Sequence, residues 1–234
     1  LIKAGNVLGE DVADYKSLYH RIVTKFREHF PTYLTQTECA LAVHFRLAEN
    51  CQAASDILDQ MVHDAGMQLT TGFVGTPYLL HALSDFGHVD TAYSLLMREE
   101  YPSWLYSVKM GATTVWEHWD SLREDGTFWD TSMNSFNHYA YGAVTDWVYA
   151  VAAGIRYVED FPGYQKTRIA PIPDSRLDWL KAELDTRHGK ILSYWRKESD
   201  YWRYEITTPV EAEIVIAGVS HSVQPGTHYF YSSI

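Results

Sequence analysis

The chain has 234 residues, of which 46% are hydrophobic and 15% aromatic, with a formal net charge of −11 at pH 7. That length suits one large domain or a domain with an appendage, and the apolar fraction can fill a substantial core. The acidic balance argues against nucleic acid, whose phosphates need a basic face, and no apolar run reaches membrane-spanning length. Leu1-Ile2-Lys3 shows neither Met nor a signal-like segment, so the chain reads as an excised or processed piece and gives no localisation. Cys39 and Cys51 lack metal-ligand spacing and are expected to be free thiols.

To about residue 156 the pattern is helical. Tyr15, Leu18, Tyr19, Ile22, Val23 and Phe26 recur at three- and four-residue steps, predicting a helix closed by Pro31. A second helix is expected over 37–48, and a third over 53–65 with Gly66 as its cap. A fourth covers 78–86, where Thr76 can cap and Pro77 takes the first helical position; a fifth covers 90–97 after Gly87. Short connections make these antiparallel hairpins. The stretch 101–133, rich in Gly, Trp and Asp, reads as a long functional loop. A long helix over 139–158 follows, with small residues such as Gly142, Ala150 and Gly154 permitting close packing.

After Phe161-Pro162-Gly163 the period changes to two. The runs 191–195, 201–206, 212–216 and 229–231, separated by turn residues such as His188-Gly189 and Pro225-Gly226, predict antiparallel strands. The reading is mainly α with a β appendage: about six helices in antiparallel hairpins over 1–160, then a small antiparallel β-sandwich over 161–234.

Chemistry concentrates in Gly111-Ala-Thr-Thr-Val-Trp-Glu-His-Trp-Asp120 and Asn134-Ser-Phe-Asn-His-Tyr-Ala-Tyr141. Indole faces stack on the C–H faces of sugar rings, and carboxylates and amides bind hydroxyls, so the combination points to carbohydrate chemistry. Glu117 has the best claim as a catalytic carboxylate, because Trp116 and Trp119 would restrict water around it; the alternative is an exposed carboxylate at a helix start. Asp120 suits a brace of its own turn. His138 can donate to a sugar hydroxyl with help from Asn134 and Asn137; alternatively Asn137 caps a helix and His138 satisfies a buried carbonyl. The histidines show no His-x-x-x-His or His-Glu-x-x-His spacing, and neither a Gly-x-Ser-x-Gly elbow nor a phosphate-binding Gly-Lys loop occurs, so neither metal nor cofactor is expected.

On the segments 72–78, 101–106, 111–120 and 133–142, the sequence resembles the bacterial and fungal α-L-rhamnosidases, inverting glycoside hydrolases with an (α/α)6-barrel catalytic domain. Ala153-Gly154-Ile155 and the tail from Pro162 also fit, so the likeness covers most of the chain. The resemblance implies that Glu117 is the general base activating water, and that Trp116, Trp119, Asn137 and His138 line the rhamnose subsite. The partner would be a rhamnose-containing oligosaccharide or glycoside. The family usually has Arg where this chain has His118, and its general acid sits in an upstream acidic motif absent between Leu1 and Gly72. A complete barrel also uses twelve helices. The expectation is therefore the C-terminal half of a barrel, with exposed apolar helix faces. Its general acid and N-terminal half would lie outside the chain, and the piece alone would be inactive. Two other readings stand: a sugar epimerase or isomerase using His118 and His138 as a proton-transfer pair, and a non-catalytic carbohydrate-binding or structural fragment.

Overall fold

A computed structural model describes residues 1–234 and divides into two compact units, one of residues 20–145 and one of residues 1–19 with 146–234. Helices appear where apolar residues recur at helical spacing: α1 (Ile2–Leu8), α2 (Ala13–His29), α3 (Gln36–His44), α4 (Cys51–Asp64), α5 (Thr76–Ser84), α6 (Val89–Leu96), α7 (Trp104–Lys109) and α8 (Val144–Trp147). Local chemistry sets several starts. Thr35 Oγ1 accepts from the Glu38 amide while Glu38 Oε2 accepts from the Thr35 amide, a reciprocal box that opens α3. Asn50 Oδ1 accepts from Ala53 N and opens α4. Beyond α4, Gly66 takes the left-handed conformation at φ +71°.

The core of the helical unit is built by α3 to α6, through Val43, Leu58, Val62, Leu79, Leu83 and Leu95. Fully buried alanines at 40, 42, 82 and 92 let these helices approach closely. A buried polar tie joins α4 to α5, where Ser55 Oγ donates to Ala82 O at 2.8 Å.

Three local expectations give way. Thr76 is not a cap: Gly75 is the N-cap, and Thr76 begins the helix with its buried hydroxyl paired to that of Thr71 at 2.8 Å. The stretch 101–133 is not loop throughout, because buried Ser103 caps Tyr106 N at 3.0 Å and nucleates α7. The expected helix over 139–158 becomes a 3-10 turn (Ala140–Ala143), α8, and a π-helical turn (Val148–Ala152). It then yields to a strand, β1 (Ile155–Tyr157). Gly154, at φ +73°, turns the chain, and β1 pairs with β2 (Thr167–Ile169) in the register Ile155↔Ile169. The sheet thus takes the backbone groups that a longer helix would have used.

The remaining strands are β3 (Trp179–Thr186), β4 (Gly189–Lys197), β5 (Tyr201–Thr208), β6 (Ala212–Ile216), β7 (Val219–Val223) and β8 (Gly226–Ser233). They form two four-stranded sheets, ordered β1-β2-β6-β7 and β3-β4-β5-β8. All pairs are antiparallel except β2 with β6, which is parallel. Ile155, Ile169, Ile214 and Ile216 of the first sheet share one buried core with Ile191, Trp195, Trp202, Tyr204 and Ile206 of the second. Two buried bonds tie β4 to the end of the π-helical turn: Trp195 Nε1 donates to Ala152 O at 2.8 Å and Ser193 Oγ to Ala153 O at 2.6 Å. The fold is a helical-hairpin domain followed by a β-sandwich. No helix is long and apolar enough to cross a membrane.

Candidate active site

The two chemistry-bearing segments meet as an irregular antiparallel pair within the helical unit. Glu117 N donates to Ser135 O at 2.9 Å, and His138 N donates to Val115 O at 2.8 Å. Thr114 Oγ1 adds a bond to Phe136 O. Backbone groups that no helix or sheet would satisfy are thus paired across a gap of about twenty residues in sequence.

Glu117 lies in this extended segment and not at a helix start. Its Oε2 accepts from Ser135 N at 2.7 Å, which fixes the carboxylate against the partner segment. Asp120 braces its own turn, taking Arg123 Nε at 3.3 Å.

Trp116 is buried and meets Phe136 edge-on at 5.3 Å. Trp119 stacks on Tyr141, with centroids 3.7 Å apart and planes 14° from parallel, and donates Nε1 to Thr71 O at 3.3 Å. His138 stacks on Phe73 at 4.6 Å and 9°, and its Nδ1 accepts from Ala140 N at 3.3 Å. His138 therefore does not satisfy a buried carbonyl through this nitrogen. Asn137 is exposed, its amide donates to Ser135 Oγ, and it caps no helix; Tyr139 holds the N-cap position of the next turn.

Rings run in unbroken contact from Trp104 through Trp119, Tyr141 and Phe73 to His138. A cavity of about 330 Å³ opens beside one end, lined by Trp104, Val108, Thr113, Trp116, Trp119 and Tyr141 among others. Trp116 and Trp119 line it; Glu117, Asn137 and His138 do not. Burial pushes the Tyr141 phenol up to about 12, with Tyr101 and Asp120 acting in the same direction, so this ring stays neutral at any physiological pH. Asp130 is held below the usual carboxylate range by the backbone and hydroxyl of Ser132 and by the Met133 amide, which pins the loop before Asn134.

Phe73, Trp104, Tyr141 and Trp129 were not singled out as site residues. The first three lie inside the motif segments, which was the available signal. Trp129 stacks on His118 at 3.6 Å, so His118 and His138 sit on separate aromatic partners.

Residues 1–152 match the family model for the bacterial alpha-L-rhamnosidase 6 hairpin glycosidase domain, and residues 154–229 match that for the bacterial alpha-L-rhamnosidase C-terminal domain. An alpha-L-rhamnosidase from Formosa agariphila is 38% identical over 227 residues, covering 92% of this chain and 24% of that protein. The crystal structure of Streptomyces avermitilis alpha-L-rhamnosidase complexed with L-rhamnose superposes with a TM-score of 0.89 at 32% identity, over 97% of this chain and 25% of that one. Native alpha-L-rhamnosidase from Aspergillus terreus gives 0.88 at 30%, over 95% and 27%. The chain thus spans about a quarter of the length of the relatives it matches.

Proposed function

The chain belongs to the bacterial α-L-rhamnosidase family, and from that membership we propose that it carries the general base, Glu117, of a glycoside hydrolase that releases terminal α-L-rhamnose with inversion. The observation behind this reading is the anchoring of the carboxylate by the Ser135 amide, between motif segments and beside a continuous row of rings. One oxygen is held at 2.7 Å, leaving the other for a water molecule.

The chemistry follows from that placement. Glu117 takes a proton from water, whose oxygen attacks the anomeric carbon. The glycosidic bond breaks on the opposite face, and the departing oxygen takes its proton from an acid outside this chain. The two carboxyl groups of such a pair stand about 6.5–9.5 Å apart, leaving room for the water. Rhamnose is a deoxysugar whose C6 methyl makes one edge apolar, which suits Trp119 and His138 with their stacked partners. Trp116 lines the adjoining cavity with Trp119, and exposed Asn137 supplies an amide for hydroxyls.

By itself the 234-residue chain binds without turnover, because the acid is absent. Calorimetry with L-rhamnose and an aryl rhamnoside assay check both halves of that statement.

The test of the base is Glu117→Gln in the full-length parent. Glutamine keeps an acceptor for Ser135 N, so the pairing survives, while kcat/KM should fall by about 10²–10⁴-fold. Proton NMR of the first-formed product should show the β-anomer. Unchanged activity in the variant would remove Glu117 from this role, and an α-anomer would remove inversion.

A further inference from the structure

The outward face of the β3-β4-β5-β8 sheet is not an ordinary solvated surface. Register places Trp179, Arg196, Arg203 and Tyr231 in one row across the four strands. Lys181, Tyr194, Glu205 and Tyr229 form the row beside it. The opposite faces of the same strands carry the buried Ala182, Trp195, Tyr204 and Ile206, so pleating alone commits these eight side chains outward. Three of the rings are largely in water: Trp179 at 61% exposure, Tyr231 at 63% and Tyr229 at 55%. Tyr201 adds a fourth, meeting Tyr231 edge-on at 5.8 Å. At the β3-β4 end the rows open into a shallow depression of about 830 Å³ between Trp179, Tyr194, Arg196 and Glu198.

Exposed aromatic rings at this density on one face indicate a ligand surface more than a solubility surface. The polar groups between them identify the ligand. Lys181, Lys190, Arg196 and Arg203 are offset by Glu183, Asp185, Glu198 and Glu205, four cations against four anions. Lys181 and Lys190 both lie 2.7 Å from Glu183, and Arg196 lies 3.1 Å from Glu198. The face therefore offers fixed donors and acceptors without a net field, which favours a neutral, hydroxyl-rich ligand over a polyanion. Three strand spacings of ~4.8 Å make each row about 14 Å long, room for about three pyranose rings.

We propose that this sheet face binds a neutral glycan chain laid across the strands, with Trp179, Tyr194, Tyr229 and Tyr231 stacking on sugar rings and the charged residues between them bonding hydroxyls. The surface is independent of Glu117 and supplies attachment, not catalysis.

Affinity electrophoresis of the 234-residue chain through gels containing xyloglucan, galactomannan or arabinogalactan tests this, with polygalacturonate as the charged arm and a polysaccharide-free gel as reference. At least one neutral gel should retard the chain. Trp179→Ala and Tyr231→Ala, both at exposed positions, should each weaken that retardation about tenfold in apparent affinity. Thermal unfolding of the two variants should match the parent, which separates loss of binding from loss of fold. Retardation by polygalacturonate alone, by none of the gels, or by a neutral gel as strongly in both variants as in the parent overturns the proposal. Self-association of the chain that either substitution abolishes also overturns it, because the face would then be a protein interface.

Discussion

Gly154 shows how narrowly one residue can be specified. Its φ is +73°, and an added Cβ would lie 2.1 Å from the Ala170 carbonyl carbon and 2.2 Å from Pro171 N. Those atoms are backbone, held in place because Ala170 N donates to Gly154 O at 2.9 Å. Gly154→Ala should therefore cost more than the ~1–2 kcal/mol of left-handed backbone alone, reaching about 3 kcal/mol or more. Gly218→Ala is the control: φ is +80°, but nothing lies within 4 Å of the added atom, so only the backbone cost applies. Urea unfolding of both variants checks this, and equal losses would show that the close approach is not what matters. The same distinction governs what was legible in the candidate site. Residue identities at Trp116, Glu117, Trp119 and His138 stood out in the sequence, because few chemistries need that combination. Their orientations did not, because the carboxylate of Glu117 is fixed by an amide eighteen residues away and the His138 ring by Phe73, sixty-five residues upstream.

Elements were legible where local signals agreed with tertiary packing. The second helix, expected from residue 37, begins one residue earlier because the box Thr35-Gln36-Thr37-Glu38 opens α3. Thr35→Ala should cost about 1 kcal/mol in equilibrium unfolding, with Thr35→Ser close to the parent, since the serine hydroxyl can accept the same Glu38 amide. A serine variant as unstable as alanine would remove the cap as the cause. The predicted strands at 191–195, 201–206 and 212–216 all lie within β4, β5 and β6, where alternation matches the buried face. β3 alternates Leu180, Ala182 and Leu184 with Lys181, Glu183 and Asp185, yet it escaped the strand reading because Leu, Ala, Lys and Glu favour helix and little in the run is β-branched or aromatic. Those charges have a measurable consequence. Hydrogen bonds and charge from Lys181 and Lys190 hold the Glu183 carboxyl at about 2, below its ordinary 4.5. A lowered folded-state value means that the stabilisation is complete above the ordinary carboxylate range and is lost as pH falls through the folded value. The group is solvent-exposed, so the effect is small and screened by salt. Thermal midpoints followed down in pH should fall more steeply for the parent than for Glu183→Gln between about pH 5 and pH 2. Identical slopes would mean that the pair contributes nothing.

At the scale of the molecule, apolar surface is left in water. Tyr15, Leu18 and Ile22, spaced three and four residues apart on α2, are 46%, 46% and 52% exposed, and Val23 is the helix's one buried residue. A helix with that apolar periodicity normally buries the stripe, so the uncovered face is an association liability. The period was legible; what covers it was not, because periodicity specifies an apolar partner without specifying which. Opposing association is the net charge of −11, which makes chains repel one another. Salt shortens the reach of that repulsion from about 30 Å at about 0.01 M to about 3 Å at about 1 M, while leaving apolar attraction in place. Self-association of the 234-residue chain should therefore strengthen with salt, by about tenfold or more across that range. It should strengthen again as pH falls to the isoelectric point of about 5.4, where the net charge vanishes. Leu18→Glu with Ile22→Lys should weaken it at every salt concentration. Sedimentation velocity reads all three trends. A chain that stays monomeric throughout, or whose association weakens with salt, would mean that ion pairs or nothing at all, and not the α2 stripe, bring copies together.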